Sequence, residues 1–258
     1  MNCWYMSGAG NDFMVIDARD LTLDYPALAR SLCQMTKADG FMAVDYSDKA
    51  DFRLHFYNSD GSRGEMCGNG SRCICKFAYD NHLAGESMTV ETDAGLIYGK
   101  RLEENRYQVQ LNNPGVIDLD RTPTAAYIEL GDPGIPHGIV EVPKLSWDML
   151  ELLRHQAQQL RYDPAFPKGA NISFYRWLDD TSVQVLTYER GVEDYTLACG
   201  TGCASVAVTL WAKGLLPGGH LTAQCRGGTL HLTIEHSHRK ITRLLLEGPA
   251  ETLKTYEI

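Results

Sequence analysis

Two stretches of the chain, Cys67-Gly68-Asn69-Gly70-Ser71-Arg72 and Cys199-Gly200-Thr201-Gly202-Cys203-Ala204, share the pattern Cys-Gly-x-Gly, and each opens a segment of helical periodicity. They lie about half a chain apart. A repeat at that separation points to two similar half-domains, each offering one cysteine at a helix start. The turn-forming cluster Asn112-Asn113-Pro114-Gly115 marks the expected break. It defines a first half of residues 1–113 and a second of 114–248. The segment from Glu247 onward could return to either half, and residues 249–258 are assigned to the first.

Short alternating runs supply most of the framework. Tyr107–Leu111, Ser182–Leu186 and Leu230–Ile234 each show the period of two expected of half-buried strands. Helical periodicity is confined to Pro26–Met35, Ser71–Asp80, Trp147–Leu160 with Ser146 as its expected N-cap, and Cys203–Lys213 closed by Gly214. Each half therefore reads as strands plus two helices, an α/β (α+β) class.

Composition narrows the function. Of 258 residues, 44% are hydrophobic and 22% charged, which suits a globular chain. The formal charge of −9 opposes binding to nucleic acid or to an anionic membrane surface. The longest apolar run, Cys203–Ala212, is far short of the roughly 20 residues that cross a bilayer. Met1-Asn2-Cys3-Trp4 does not read as a signal peptide, so a cytoplasmic location is expected. Eight cysteines in that setting read as reduced thiols rather than a disulfide framework. Their spacing with the histidines forms no zinc pattern, and His231, His236 and His238 read as a solvated turn. Asn69-Gly70-Ser71 and Asn171-Ile172-Ser173 match the glycosylation pattern by chance.

The paired motif has a definite chemistry. Glycines let the backbone bend and let a ligand approach closely, and the N–H groups of a first helical turn favour an anion. The same environment is expected to lower a cysteine pKa toward neutrality, where a proton shuttle works best. One such cysteine would suit a nucleophile. Two, from matching half-domains, suit two bases facing each other across a shared cleft, one removing a proton from a carbon while the other delivers one to the opposite face. The plain alternative is two small buried hydrophobes beside glycine turns, and the repetition argues against it. A redox protein using Cys67 with Cys73 or Cys203 lacks the Cys-x-x-Cys spacing. A nucleotide enzyme lacks any complete phosphate loop.

Over nearly its whole length the chain resembles the diaminopimelate epimerase family. The resemblance rests on Gly8-Ala9-Gly10-Asn11-Asp12-Phe13, Ala38-Asp39-Gly40-Phe41, Asn58-Ser59-Asp60-Gly61-Ser62, Gly169-Ala170-Asn171-Ile172, Tyr188-Glu189-Arg190-Gly191 and the two cysteine motifs. It implies two pseudo-symmetric domains, each a curved sheet around a central helix, with the active site in the interdomain cleft. It also implies a homodimer and an enzyme needing neither pyridoxal phosphate nor metal. Such an enzyme interconverts LL- and meso-diaminopimelate on the route to lysine and peptidoglycan.

The resemblance makes Cys67 and Cys199 the acid/base pair, with Glu189 near the reacting amino group and His137 beside the cysteines. The reacting carboxylate would sit on the backbone of Gly68 and Asn69 and of Gly200 and Thr201. Asn11, Asn58, Asn171 and Arg190 would hold the far end of the substrate. Taken without the resemblance, the three asparagines equally read as turn or strand-end residues.

Two departures matter. The family usually has Gly-Asn-Pro-His where this chain has Gly134-Ile135-Pro136-His137, and isoleucine cannot hydrogen-bond the substrate. The stretch Gly191–Leu197 is one residue longer than the commonest form and carries Tyr195. They keep open a second substrate class, in which a same-fold racemase acts on another amino acid such as histidine.

Overall fold

The computed structural model describes residues 1–64 and 67–258. In chain order, β1 (Asn2–Gly8) and β2 (Asn11–Asp17) lead to α1 (Tyr25–Thr36), then β3 (Gly40–Asp45) and β4 (Phe52–Asn58) to α2 (Gly68–Asp80). β5 (Ser87–Thr92), β6 (Gly95–Glu103), β7 (Arg106–Leu111), β8 (Pro114–Asp118), β9 (Ala126–Gly131) and β10 (Gly134–Glu141) precede α3 (Leu150–Arg161). β11 (Asn171–Asp179), β12 (Ser182–Glu189) and the short β13 (Asp194–Tyr195) reach α4 (Gly200–Ala212). β14 (His220–Cys225), β15 (Gly228–Ser237), β16 (Lys240–Pro249) and β17 (Glu251–Glu257) complete the chain.

The chain divides into two compact units, Met1–Gln110 with Glu247–Ile258, and Leu111–Leu246. The expected break lay between residues 113 and 114, in the turn cluster that follows β7. The observed one falls slightly earlier, between Gln110 and Leu111 at the end of that strand.

Each unit repeats one topology. In the first, β1 and β2 are antiparallel, β2 and β3 parallel through α1, β3 and β4 antiparallel, β4 and β5 parallel through α2, and β5 and β6 antiparallel. In the second, β9 and β10, β10 and β11 through α3, β11 and β12, β12 and β14 through α4, and β14 and β15 follow the same alternation. A parallel neighbour needs a crossover, and helices provide it. α2 and α4 therefore hold equivalent places, as their shared motif predicts.

The helices differ in what surrounds them. α1 buries one face, Ala29, Leu32 and Cys33, against Met14, Ile16, Phe41 and Tyr57. α3 likewise buries Leu153, Ala157 and Leu160 on Ile172, Phe174, Leu186 and Tyr188. α2 is buried continuously from Gly68 to Ala78, and α4 from Gly202 to Leu210. A helix covered all round is a unit's central element. None of the four is long and apolar enough to cross a membrane.

Helix ends show where local reading fell short. α1 starts as expected, with Asp24 accepting from the Ala27 N–H at 3.1 Å and Pro26 in its first turn. α3 starts at Leu150, not Trp147. Ser146 is not its cap: the Ser146 carbonyl instead accepts from Met149 N at 3.0 Å, closing a turn ahead of the helix. Of the three histidines read as a turn, His238 lies in one, whereas His231 sits in β15 beside Thr222 and His236 packs on Trp211.

Candidate active site

α2 and α4 begin at Gly68 and Gly200, three residues before the periodic segments expected at Ser71 and Cys203. The cysteines are the reason. Cys67 (φ −132°, ψ 120°) and Cys199 (φ −113°, ψ 106°) each occupy the N-cap with extended backbone. The Cys67 Sγ accepts from Gly70 N at 3.5 Å and the Cys199 Sγ from Gly202 N at 3.4 Å. Sulfur thus takes the place usually held by a serine or aspartate oxygen. The Ser71 and Cys203 N–H groups go to the carbonyls of Cys67 and Cys199. By helix geometry the N–H groups ahead of them in each first turn, on Gly68 and Asn69 and on Gly200 and Thr201, precede the first intrahelical acceptor and are left to partners outside the helix.

Glycine is required here by close approach. A Cβ on Gly202 would come within 2.6 Å of the Thr187 Oγ1 and 2.7 Å of the Ser173 Oγ, two hydroxyls 2.9 Å apart on β12 and β11. In the first unit the crowding is reversed. There α2 presses on a strand glycine, and a Cβ on Gly8 would lie 2.8 Å from the Asn69 carbonyl oxygen.

Around Cys199 the second unit gathers Glu189, Thr196 and Thr201. Thr196 donates to Glu189 Oε1 at 2.6 Å, and the Thr201 hydroxyl lies 3.5 Å from Sγ. Burial pushes the Cys199 thiol well above its ordinary pKa and the nearby Glu189 carboxylate adds to this, against the opposing pull of Thr201 and the Gly202 N–H. The expectation of a pKa near neutrality is therefore corrected for Cys199: desolvation outweighs the helix terminus, and the group rests as a thiol. Burial likewise raises Cys73, and Cys75 to about 12.

His137 lies on β10 opposite Asn171 of β11 and is fully buried. Burial and the charge of Arg190 push its pKa down to about 3, so the ring is neutral. Its tautomer follows from a chain of donors. The Arg190 N–H donates to Asn171 Oδ1 at 2.8 Å, which makes Asn171 Nδ2 the donor toward the Pro136 carbonyl at 3.3 Å and His137 Nε2 at 3.4 Å. Nε2 accepts, so Nδ1 carries the proton. That Nδ1–H is buried and makes no hydrogen bond among the described residues. Ile135, two residues along the strand from His137, shares its face.

The remaining expected residues divide by exposure. Arg190 is exposed and donates to the Lys168 carbonyl at 2.9 Å; among the described residues it makes no ion pair. Asn58 is exposed and donates to the Ser62 Oγ at 3.0 Å, closing a turn. Asn11 donates to Asp39 Oδ2 at 3.0 Å and accepts from Asn69 Nδ2 at 2.6 Å, and Asn69 Oδ1 accepts from the buried Arg72 at 2.9 Å. Arg72 also donates to the Pro249 carbonyl at 3.2 Å. Sequence reasoning missed this network, as well as Thr196 and the Ser173–Thr187 pair. Asp39, Arg72, Ser173 and Thr196 lie inside stretches already singled out for other reasons, whereas Thr187 gave no signal.

Comparison with known proteins agrees with this architecture. The family profile described as diaminopimelate epimerase matches residues 3–115 and 131–253. The diaminopimelate epimerase of Aquifex aeolicus is 36% identical over 256 aligned positions, covering 92% of this chain and 90% of its own. That of Hydrogenobaculum is 34% identical, covering 97% of each. Among solved structures, a hydroxyproline epimerase from Agrobacterium vitis superposes with a TM-score of 0.74 at 15% identity, over 100% of this chain and 90% of its own. A PhzF-family protein from Bacillus anthracis gives 0.72 at 15% identity, over 100% and 98%. At such identity these two show a shared fold. The sequence matches go further, and the chain belongs to the diaminopimelate epimerase family.

Proposed function

We propose that this protein inverts the α-carbon of diaminopimelate, interconverting the LL and meso forms, with Cys67 and Cys199 serving one substrate as alternating base and acid. The observation that carries the reading is the equivalence of the two cysteines. Each caps the central helix of a repeated unit with the same backbone conformation and the same Sγ acceptor geometry. A substrate carbon inverted by two groups of one chemical kind calls for such a matched pair.

The steps follow from the groups. One sulfur, as thiolate, removes the α-proton, and the other, as thiol, delivers a proton to the opposite face. Cys199, held protonated, suits the donor role, and Glu189 beside it can accept the thiol proton when the direction reverses. First-turn N–H groups of both central helices would hold the α-carboxylate and stabilise the charge that develops on it. The neutral His137 would serve as a hydrogen-bond donor through Nδ1 rather than as a base. Arg190 offers a planar fork for the distal carboxylate, and Asn11, Asn58 and Asn171 would contact that end.

Ile135 favours a second reading. An apolar side chain on the face of His137 and Asn171 would also suit a substrate without a second carboxylate, handled by the same two thiols. One experiment separates the two. Exchange of the α-proton for deuterium is followed by NMR, with reductant, for LL-diaminopimelate and a panel of L-amino acids including histidine. Exchange confined to diaminopimelate is the expected result. Exchange of another amino acid with diaminopimelate silent would overturn the substrate while keeping the thiols.

A further inference from the structure

Two thiols outside the proposed acid/base pair lie against each other. The Cys203 Sγ, in the first turn of α4, is 3.4 Å from the Cys225 Sγ at the end of β14. Cys203 is fully buried, whereas Cys225 is half-buried and followed by the exposed Arg226 at the tip of the β14–β15 hairpin. Both members are tied to the segment that bears Cys199. The Cys203 N–H donates to the Cys199 carbonyl at 3.0 Å, and the hairpin's Gly227 N–H donates to the Leu197 carbonyl at 2.8 Å.

We infer that Cys203 and Cys225 form an oxidisable dithiol, a modification site for hydroperoxides whose closure to a disulfide disables the N-terminus of α4. Cys225 is the point of entry, since it alone of the pair reaches solvent. Its sulfur attacks the peroxide O–O bond, giving a sulfenic acid and, for hydrogen peroxide, one water. The Cys203 sulfur then attacks the Cys225 sulfur; the S–S bond forms, the S–O bond breaks, and the departing hydroxide leaves as a second water with the Cys203 proton. Two thiols and one peroxide become one disulfide and two waters. A dithiol reductant reverses the change.

Closure moves atoms that matter. A disulfide brings the sulfurs to about 2.05 Å, so the pair must close by more than an ångström. The body of α4 is packed on all sides and resists translation. The movement falls on its first turn and on the hairpin tip, the two attachments of Leu197–Cys203. Displacing catalytic groups by about 1 Å costs on the order of a hundredfold in rate. Cys199 itself, protonated by burial, is a poor nucleophile toward peroxide.

The test has two readouts, and only the second rests on the function proposed above. The reduced full-length protein is treated with hydrogen peroxide, alkylated under denaturing conditions, digested and analysed by mass spectrometry with fragmentation to locate the bond. The expected result is a Cys203–Cys225 link, absent in Cys225→Ser and in Cys203→Ala. Proton exchange on diaminopimelate should fall about tenfold to a hundredfold with the link and recover with dithiothreitol. Reduced Cys225→Ser should match reduced wild type in activity. Full alkylation of both Cys203 and Cys225 in peroxide-treated wild type would overturn the site. A quantitative link with unchanged exchange would overturn its consequence. A reduced protein inactive on diaminopimelate would instead count against the proposed substrate and leave the mapping to decide the site.

Discussion

At the scale of the residue, each cysteine carries two roles that substitution can separate. As an N-cap it satisfies a helix N–H, and as a thiol it moves a proton. Serine is a better cap and a far weaker acid, so Cys67→Ser or Cys199→Ser should keep the fold at wild-type stability while lowering inversion by about a hundredfold or more. Thermal unfolding and a racemisation assay read the two effects independently, and wild-type turnover in either variant would remove that cysteine from the chemistry. His137 supplies a pH signature. Its pKa falls from an ordinary 6.5 to about 3 on folding, so between those values the unfolded chain binds a proton that the folded chain does not. Stability is therefore lost as pH drops through that window, by up to about 1.4 kcal/mol per pH unit. His137→Gln should flatten the profile in urea denaturation series run from pH 7 to pH 4, and an unchanged slope would contradict the assignment. The cysteines were legible in sequence because their motif repeats. The proton on His137 Nδ1 was not, since it depends on an amide of β11 and a backbone N–H at the end of β12, which meet only in the folded unit.

The central helices explain why, at the scale of the element, the motif has glycine where helix propensity would resist it. Glycine costs about 1 kcal/mol relative to alanine inside a helix, and periodicity accordingly starts only after each Cys-Gly-x-Gly. The structure begins both helices at the first glycine because the cysteine before it caps the first turn, and at Gly202 close approach to Ser173 and Thr187 outweighs propensity. Gly202→Ala tests the point. The new methyl would press on the hydroxyls of Ser173 and Thr187, neither at the end of a long flexible side chain, so the first turn of α4 must shift. Exchange activity should drop at least about tenfold, with a lower melting temperature as the independent check. The surface-facing helices α1 and α3 were read from amphipathic spacing, within a few residues of their observed spans. The start of α3 was misplaced because a serine before a periodic run looks the same whether its side chain caps a helix or its carbonyl closes a turn.

At the scale of the whole molecule, the duplication was legible from two six-residue stretches, and the alternation of parallel and antiparallel neighbours extends it to every crossover. The return of residues 249–258 to the first unit was expected from sequence and agrees with the observed division; the strand they pair with was not legible. β17 lies antiparallel to β1, with Asn2 opposite Glu257 and Ser7 opposite Glu251, and Ala250 N donates to the Asn105 carbonyl at 3.0 Å. Removing residues 251–258 should therefore destabilise the first unit selectively. Hydrogen exchange would show lost protection in β1 and β2, with β11 and β12 unchanged; uniform loss across both units would show that the two do not respond separately.

That same strand has a bearing on biosynthesis. A ribosome releases the chain from its N-terminus, so every residue of the second unit has been synthesised before Glu251 is joined. Throughout that interval β1 has β2 on one side and an unpaired edge on the other, a template open to any extended segment nearby. The nascent first unit must wait, with one edge exposed, for the last strand to be made.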